Sequence, residues 1–430
     1  MDGRFRGESG NVIVAHPGTQ HSYETARAVQ EAGLLQRYIT GFYHKPKGLL
    51  GLAVQLLPGH SRSRVERELY RRYQEGLDPD RVQTFPAAEL LYVLAKRLRP
   101  FKGYARDVVR WRNERFDGLV GRVVVQEKPA ALICYNGCAL AAFEKAKSLG
   151  IFCILDQSIA HIRTALKLLH EEAELHPDFA DSLPSLEEQG WLIERSSKET
   201  IRADRVLAAS EYVKESLIEN GVAPARIVVL PYGVGIQRFR PAARSGDRTF
   251  RVLFVGQISQ RKGIKYLLEA VKQLALPGVE LVLVGSVVGS GTGLAAYRDY
   301  FTHVPNVPHH EVHAYFQKGD VFAYPSLYEG SALATYEALA SGLPVITTPN
   351  SGSVVRDGVE GFVVPIRDVE LLKEKLLLLY ENKDLREEMG RNARKRAAEF
   401  TWTAYRQRLG TLLRQILHLP TAEAGTVAHG

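Results

Sequence analysis

The sequence predicts an α/β protein made of two doubly wound domains, each built on a parallel sheet. Three observations carry this. Short apolar runs alternate with amphipathic stretches along most of the chain, the alternation stops over residues 230–248, and then it restarts. A length of 430 residues also exceeds what one ordinary core holds. With 45% hydrophobic and 24% charged residues, the composition is that of a soluble, globular chain.

The first unit is "NVIVAHPGTQHSYETARAVQEAGLL": an apolar strand over Val12 to Ala15, a turn containing Gly18, then a helix with Tyr23, Ala26, Val29 and Ala32 inward. "AALICYNG" with "CALAAFEKAKSLG", then "IFCILDQS", then "RVLAASEYVKESLIENG" repeat the pattern. The stretch "LPYGVGIQRFRPAARSGDR" at 230–248 is rich in Pro, Gly and Arg and has no strong period, as an interdomain linker would. The alternation resumes with "FRVLFVGQISQRKGIKYLLEAVKQL", "VELVLVGS", "DVFAYPS" and "LPVITTP". One domain is expected to span 1–238 and the other 249–400. A helix over 401–420, with Leu409, Leu412, Leu413, Ile416 and Leu417 on one face, must bury that stripe, and returning to the first domain is one economical solution.

The net charge of +8 is concentrated. Residues 37–122 hold eighteen Lys and Arg against nine Asp and Glu, so the remainder is close to neutral. Within 41–115 the basic residues mix with the apolar "LLGLAVQLL", which fits either an anionic membrane surface or a solvated basic helix over a core. No recognised nucleic-acid module accompanies the charge, and no nucleic-acid partner is expected. Three cysteines, Cys134, Cys138 and Cys153, make no disulfide framework and fit a reducing cytosol. No apolar run approaches twenty residues, so a cytoplasmic protein is expected, at most peripheral to the inner face of the cell membrane. Oligomeric state is not legible.

In an open parallel sheet, ligands bind at the carboxyl ends of strands, and a cleft between two such domains is the natural site. The strand "VLFVG" ends at Gly256, and Arg261, Lys262 and Gly263 follow just before a helix, placing two cations where a diphosphate would lie. Surface cations at a helix start are the alternative. The stretch "YPSLYEGSALATYEALASGLPVITTP" (324–349) sets Glu329 and Glu337 either side of Gly330, Ser331, Ala332 and Leu333, at a strand-to-helix turn. Small residues there let backbone N–H groups approach an anion at the positive helix end. Eight helical residues rise about 12 Å, roughly the span from a sugar ring across a diphosphate to a ribose. A carboxylate accepts two hydroxyl hydrogens, so Glu337 suits a ribose and Glu329 a hexose. Helix capping by Glu329 and a surface pair for Glu337 are the alternative. In "TTPNSGSVVRDGVEGFVVP", Gly352, Gly358 and Gly361 punctuate a loop and a short strand.

Taken in order, "ADRVLAASEYVKESLIENGV", "RIVVLPYGV", "FVGQISQRKGIKYLLEAV", the Glu-x7-Glu stretch, the glycine loop and "FTW" (400–402) resemble the large retaining glycosyltransferase family called family 4, within the glycosyl transferases group 1. The resemblance implies the GT-B fold, with two Rossmann-like domains facing across a cleft. The first would bind the acceptor and the second the nucleotide sugar. It also implies that Lys262 binds the donor diphosphate, Glu337 the donor ribose and Glu329 the transferred sugar. The chain departs from the family pattern in three places. Gln257 stands where arginine usually follows the glycine, with Arg261 as a replacement charge; "EGSA" replaces "EGFG"; and Leu155 precedes Asp156 where a histidine is usual. His161 is the nearest histidine, with a catalytic or acceptor-orienting role against a structural one. Asp156 and His16 are candidates for the acceptor, and Gly18 and Thr19 for the donor side of the same first turn, while His21 and Ser22 open the following helix.

The function these residues imply is transfer of a hexose-type sugar from a UDP- or GDP-linked donor to a glycan or lipid-linked acceptor, with retention, and with no cofactor or metal. "PHHEVH" (308–313) lacks the spacing that puts two imidazoles on one helical face, and "DPD" (78–80) precedes a helix, so capping explains it. A non-catalytic GT-B protein acting at a membrane surface or on glycans is the alternative, favoured by Gln257 and Leu155. A dehydrogenase is disfavoured because no G-x-G-x-x-G follows the first strand.

Overall fold

The computed structural model describes residues 10–46, 48, 54–55, 58–97, 105–184, 190–242, 249–305, 307–308 and 310–420. Among them, two sheets form. The first holds β1 (Val12–His16), β2 (Leu35–Thr40), β3 (Val82–Thr84), β4 (Ala131–Tyr135), β5 (Phe152–Gln157), β6 (Arg205–Ala208) and β7 (Ile227–Val229), in the order β3-β2-β1-β4-β5-β6-β7. The second holds β8 (Phe250–Val255), β9 (Val279–Val284), β10 (Thr302–Val304), β11 (Val321–Tyr324), β12 (Val345–Thr347) and β13 (Gly361–Val363), in the order β10-β9-β8-β11-β12-β13. Every pairing in the second sheet is parallel.

Central parallel strands are covered on both faces, which is why β1, β4 and β11 read as unbroken buried runs, VIVAH, ALICY and VFAY. In both sheets the chain starts in the middle, builds outward one way, then returns to build the other way. The reversal falls between β1 and β4 in the first sheet and between β8 and β11 in the second. The carboxyl ends of the strands at such a reversal are the usual ligand position in sheets of this order.

Packing divides the chain into two compact units. One comprises Met1–Asp156, Glu194–Leu207 and Arg406–Gly430, the other Gln157–Ile193 and Ala208–Tyr405. In the first unit the helix Trp402–Ile416 buries Leu409 and Leu413 completely, and Leu417 beyond it is buried too. Arg406 donates to Glu24 (2.7 Å) and Glu31 (2.8 Å) of the helix Ser22–Glu31, and Arg414 donates to the Ala32 carbonyl (2.6 Å). The same unit contains a buried charged group. Asp117 accepts the N–H groups of Ala141 and Ala142, Glu199 accepts those of Gly137 and Ala139, and Arg195 bridges both carboxylates. These acids meet the open amides at the start of the helix Leu140–Ser148, where Ala139 offers no side-chain cap.

Asp78 accepts from the Asp80 N–H at the head of a short 3-10 turn, so the "DPD" acid caps as expected. Cys134, Cys138 and Cys153 are free and buried. Among the described residues, no helix is long and apolar enough to cross a membrane. Part of the basic 41–115 region (47, 49–53, 56–57 and 98–104) lies outside the described residues. Leu409→Ala should cost about 2–5 kcal/mol, because a fully buried leucine leaves a cavity. Denaturant unfolding checks this, and a change under 1 kcal/mol would contradict the packing of that helix.

Candidate active site in the second unit

The site grows from two loops that leave neighbouring strands at the reversal point of the second sheet. After β8 the chain passes Gly256 and makes a 3-10 turn over Gln260–Lys262 before the helix Ile264–Leu274. After β11 it turns through 325–332 into the helix Leu333–Ala340. The loops are tied together: the Leu327 N–H (3.0 Å) and Ser326 Oγ (3.2 Å) both donate to the Arg261 carbonyl. Gly263 has φ +70°, and a Cβ there would come within 1.9 Å of the Pro325 carbonyl oxygen. Glycine is required on both counts.

This lacing brings Arg261, Lys262 and Glu329 together. Arg261 Nη1 donates to Glu329 Oε1 (2.8 Å) and to the Tyr328 carbonyl (3.0 Å), and Lys262 Nζ contacts the same Oε1. Ser326 Oγ adds a longer donor at 3.4 Å. Lys262 is buried and stands over the Tyr324 ring, 5.2 Å from its centroid. Burial, with Arg261 beside it, pushes the Lys262 ammonium down to about 6. The Glu329 carboxylate in contact with the same nitrogen works the other way, because an opposite charge favours the ammonium. Burial above all, with Glu337 adding and Arg261 opposing, holds the Tyr324 phenol well above its ordinary value. Glu337 lies on the Leu333–Ala340 helix that the second loop leads into.

The small-residue turn serves packing. Gly330 needs clearance, because a Cβ there would sit 1.8 Å from the Ser158 carbonyl oxygen. Its own carbonyl accepts from Ser210 Oγ. Ser331 Oγ bonds Tyr336 Oη (2.8 Å) and the Gly352 carbonyl (3.1 Å). The Ala332 N–H, expected to face an anion, instead donates to the Ser351 carbonyl at 3.0 Å. The helix amides that precede any intrahelical partner are those of Leu333 and Ala334.

His161 stands at the start of the helix Ile162–Leu175. Its Nδ1 accepts from the Arg163 N–H (3.3 Å), and its own N–H donates to Ser216 Oγ (2.9 Å). Burial first, then Arg163, pushes its pKa down to about 4.

In the first unit, His16 and Gly18 lie at the carboxyl end of β1, where that sheet reverses. His16 Nδ1 accepts the Gly18 N–H (3.1 Å), and its ring meets Tyr135 of β4 edge-on at 4.6 Å. Burial pushes the His16 imidazole down to about 3, with Gly18 opposing and His21 and Arg112 adding. Thr19 is exposed. Asp156 is paired with His21, Nε2 to Oδ2 at 2.9 Å, and both are buried. His21 also opens the helix Ser22–Glu31, as expected. Its partnership with Asp156 went unseen because 135 residues separate them.

Gln260, Glu172 and Arg367 were also missed. Glu172, on the helix Ile162–Leu175, is completely buried. Its Oε1 accepts from Gln260 Nε2 (2.6 Å) and Tyr266 Oη (2.7 Å), and its Oε2 from Arg367 Nε (2.9 Å). The one available signal was position. Ala165, Leu169 and Glu172 fall on one helical face, so Glu172 occupies a place where an apolar residue is the default. Among the described residues, no group of three or more His, Cys, Asp or Glu could hold a metal ion.

The two parallel sheets and their likeness to solved structures establish the GT-B fold. Sucrose-phosphate synthase from Thermosynechococcus elongatus aligns with a TM-score of 0.60 at 18% identity, over 95% of this chain and 99% of its own. HepE of Anabaena, solved in complex with UDP, aligns with a TM-score of 0.60 at 13% identity, over 94% and 100%. Residues 236–396, which include both site loops, match the family model described as "Glycosyl transferases group 1". A D-inositol 3-phosphate glycosyltransferase of Paenarthrobacter aurescens is 30% identical over 222 residues, 46% of this chain and 54% of its own length. The capsular polysaccharide biosynthesis glycosyltransferase CapM of Staphylococcus aureus is 27% identical over 239 residues, 50% of this chain and 63% of its own. The chain thus spans between half and two thirds of the length of these curated relatives.

A neutral, buried His161 favours the folded chain above its unfolded pKa of about 6.5, and that contribution is lost as pH falls toward about 4. His161→Asn retains a side chain able to cap and removes the titration. The drop in melting temperature between pH 7 and pH 5 should therefore shrink in this variant. An unchanged drop would contradict the burial of a neutral ring.

Proposed function

We propose that the protein is a retaining, family 4 glycosyltransferase that moves a hexose-type sugar from a UDP- or GDP-linked donor to a glycan or lipid-linked acceptor. The observation that carries this reading is the grouping of Arg261, Lys262 and Glu329 at the reversal point of the second sheet, with Glu337 on the helix that follows, inside the segment matching the group 1 transferases. The names of the relatives, two of them transferases acting in inositol phosphate glycosylation and capsule synthesis, agree in reaction class.

Cleavage of a sugar–phosphate bond puts negative charge on the departing diphosphate and positive charge on the anomeric carbon. The proposed role of Arg261 and Lys262 is to meet the phosphate charge, with the amides at the head of the 333–340 helix adding their dipole. No metal ion is assigned to this step. Glu329 aligns both cations through one oxygen, and on donor binding it would release them to the phosphates and accept sugar hydroxyls. Glu337, farther along the helix, would accept from the ribose. Attack on the front side, with a phosphate oxygen taking the acceptor proton, retains configuration. The assigned acceptor side is the first unit, through His16 and Asp156. His161, whose ring caps a helix, is retained as acceptor-orienting only in this reading.

The acceptor reading draws on the basic segment. Tyr70, Leu90 and Leu91 are more than half exposed there, and Trp111 is exposed as well. Exposed apolar and aromatic side chains beside lysines and arginines suit an anionic lipid surface, and this supports the proposed location at the inner face of the cell membrane.

Lys262→Ala and Glu337→Ala should each lower kcat/KM for transfer at least about tenfold, the loss expected for a charged hydrogen bond, with little change in thermal unfolding. Wild-type turnover in both variants would refute the site. In sedimentation with vesicles containing anionic lipid, the protein should co-pellet, and Leu90→Gln/Leu91→Gln should weaken binding severalfold. Equal binding to neutral vesicles would count against the charged surface.

A further inference from the structure

The turn that carries Arg261 and Lys262 is held from behind by a charged group that is completely buried. Gln260 begins that turn, and all of its polar atoms are committed. Its N–H donates to Ser182 Oγ (2.9 Å), its carbonyl accepts the Gly263 N–H (2.8 Å), its Oε1 accepts the Lys265 N–H (3.0 Å), and its Nε2 donates to Glu172 (2.6 Å). Glu172 comes from a helix that lies between β5 and β6 in sequence yet packs within the second unit. Arg367 faces the same acid with φ +67°, a conformation that non-glycine residues rarely adopt. It is held there by Glu171 (3.2 Å), Glu172 (2.9 Å) and the Leu168 carbonyl (3.4 Å). Backbone strain tolerated through three bonds to one helix indicates a geometry that the surroundings over-determine.

We infer that Glu172, Gln260 and Arg367 are positioning residues for the donor diphosphate, fixing the direction in which Arg261 and Lys262 present their charges. The inference rests on the reading proposed above. Cations held before the ligand arrives lose less freedom on binding it, so the network contributes to affinity without touching the ligand. A buried carboxylate with three donors is a stiff anchor, since moving any one of them leaves charge unmet.

Calorimetric titration with UDP and with GDP tests this on the full chain. Gln260→Met removes both amide contacts at similar volume, and should raise the Kd at least about tenfold, with KM for the donor rising more than kcat falls. Glu172→Gln keeps the shape and removes the charge, and should weaken binding in the same direction, which covers failure of Gln260→Met to fold. Glu199→Gln, an equally buried acid of the first unit, should lower thermal stability and leave Kd within about twofold. In a Lys262→Ala background the Gln260→Met effect should shrink, because the two act through one contact. Additive losses, or a Kd unchanged in both Gln260→Met and Glu172→Gln, overturn the positioning role. If Lys262→Ala alone leaves nucleotide binding intact, or wild type binds neither nucleotide, the donor-site reading itself fails instead.

Discussion

A carboxylate without solvent must be met by donors on every side, and in this protein that demand organises the second unit around Glu172. Three side chains answer it, Gln260 and Tyr266 from one turn-and-helix segment and Arg367 from a stretch a hundred residues on. Each residue does something else as well. Gln260 starts the turn of the two cations, Tyr266 lies in the first turns of the Ile264–Leu274 helix and bonds His176, and Arg367 reaches back to Glu171 and Leu168. Breaking a buried pair on one side costs far more than the pair's net contribution to stability, because the remaining charge stays buried. The network therefore acts chiefly as a constraint on geometry.

In front of that constraint, the two loops at the reversal point share one arrangement of donors and acceptors. The Arg261 main chain accepts from the 326–327 turn, while its side chain donates to 328–329. A single residue supplies both the backbone joint and half of the positive charge. The first sheet repeats the strand order and also gathers ionisable rings at its reversal point, where His16, Tyr135 and His21 stack edge-on and His21 meets Asp156. Burial keeps His16 neutral there.

Much of this was legible beforehand, and for a stated reason. Strand and helix periods are local, so the alternation of "VIVAH" or "VLFVG" with amphipathic helices reveals a doubly wound sheet. Strand ends are local too, which is why residues 261, 262 and 329 could be singled out. Partners distant in sequence were not legible. Asp156 pairs with His21 rather than with the nearby His161, and Glu172, one of three glutamates in "HEEAEL", meets Gln260, 88 residues further along the chain. The small residues of the 330–332 turn were read for anion access alone. In the structure Gly330 also clears Ser158, and Ala332 has spent its N–H on Ser351. Compact residues admit a ligand and a neighbouring chain equally well, and sequence does not distinguish the two.

The interleaving of the two units has a consequence for synthesis on the ribosome. The first unit closes through Arg406, whose partner Glu31 precedes it by 375 residues. All of the six-stranded sheet must emerge before that clamp can form. Until then the apolar flank that Leu409 and Leu413 later cover has no lid, so the nascent chain would wait in a state suited to capture by a chaperone.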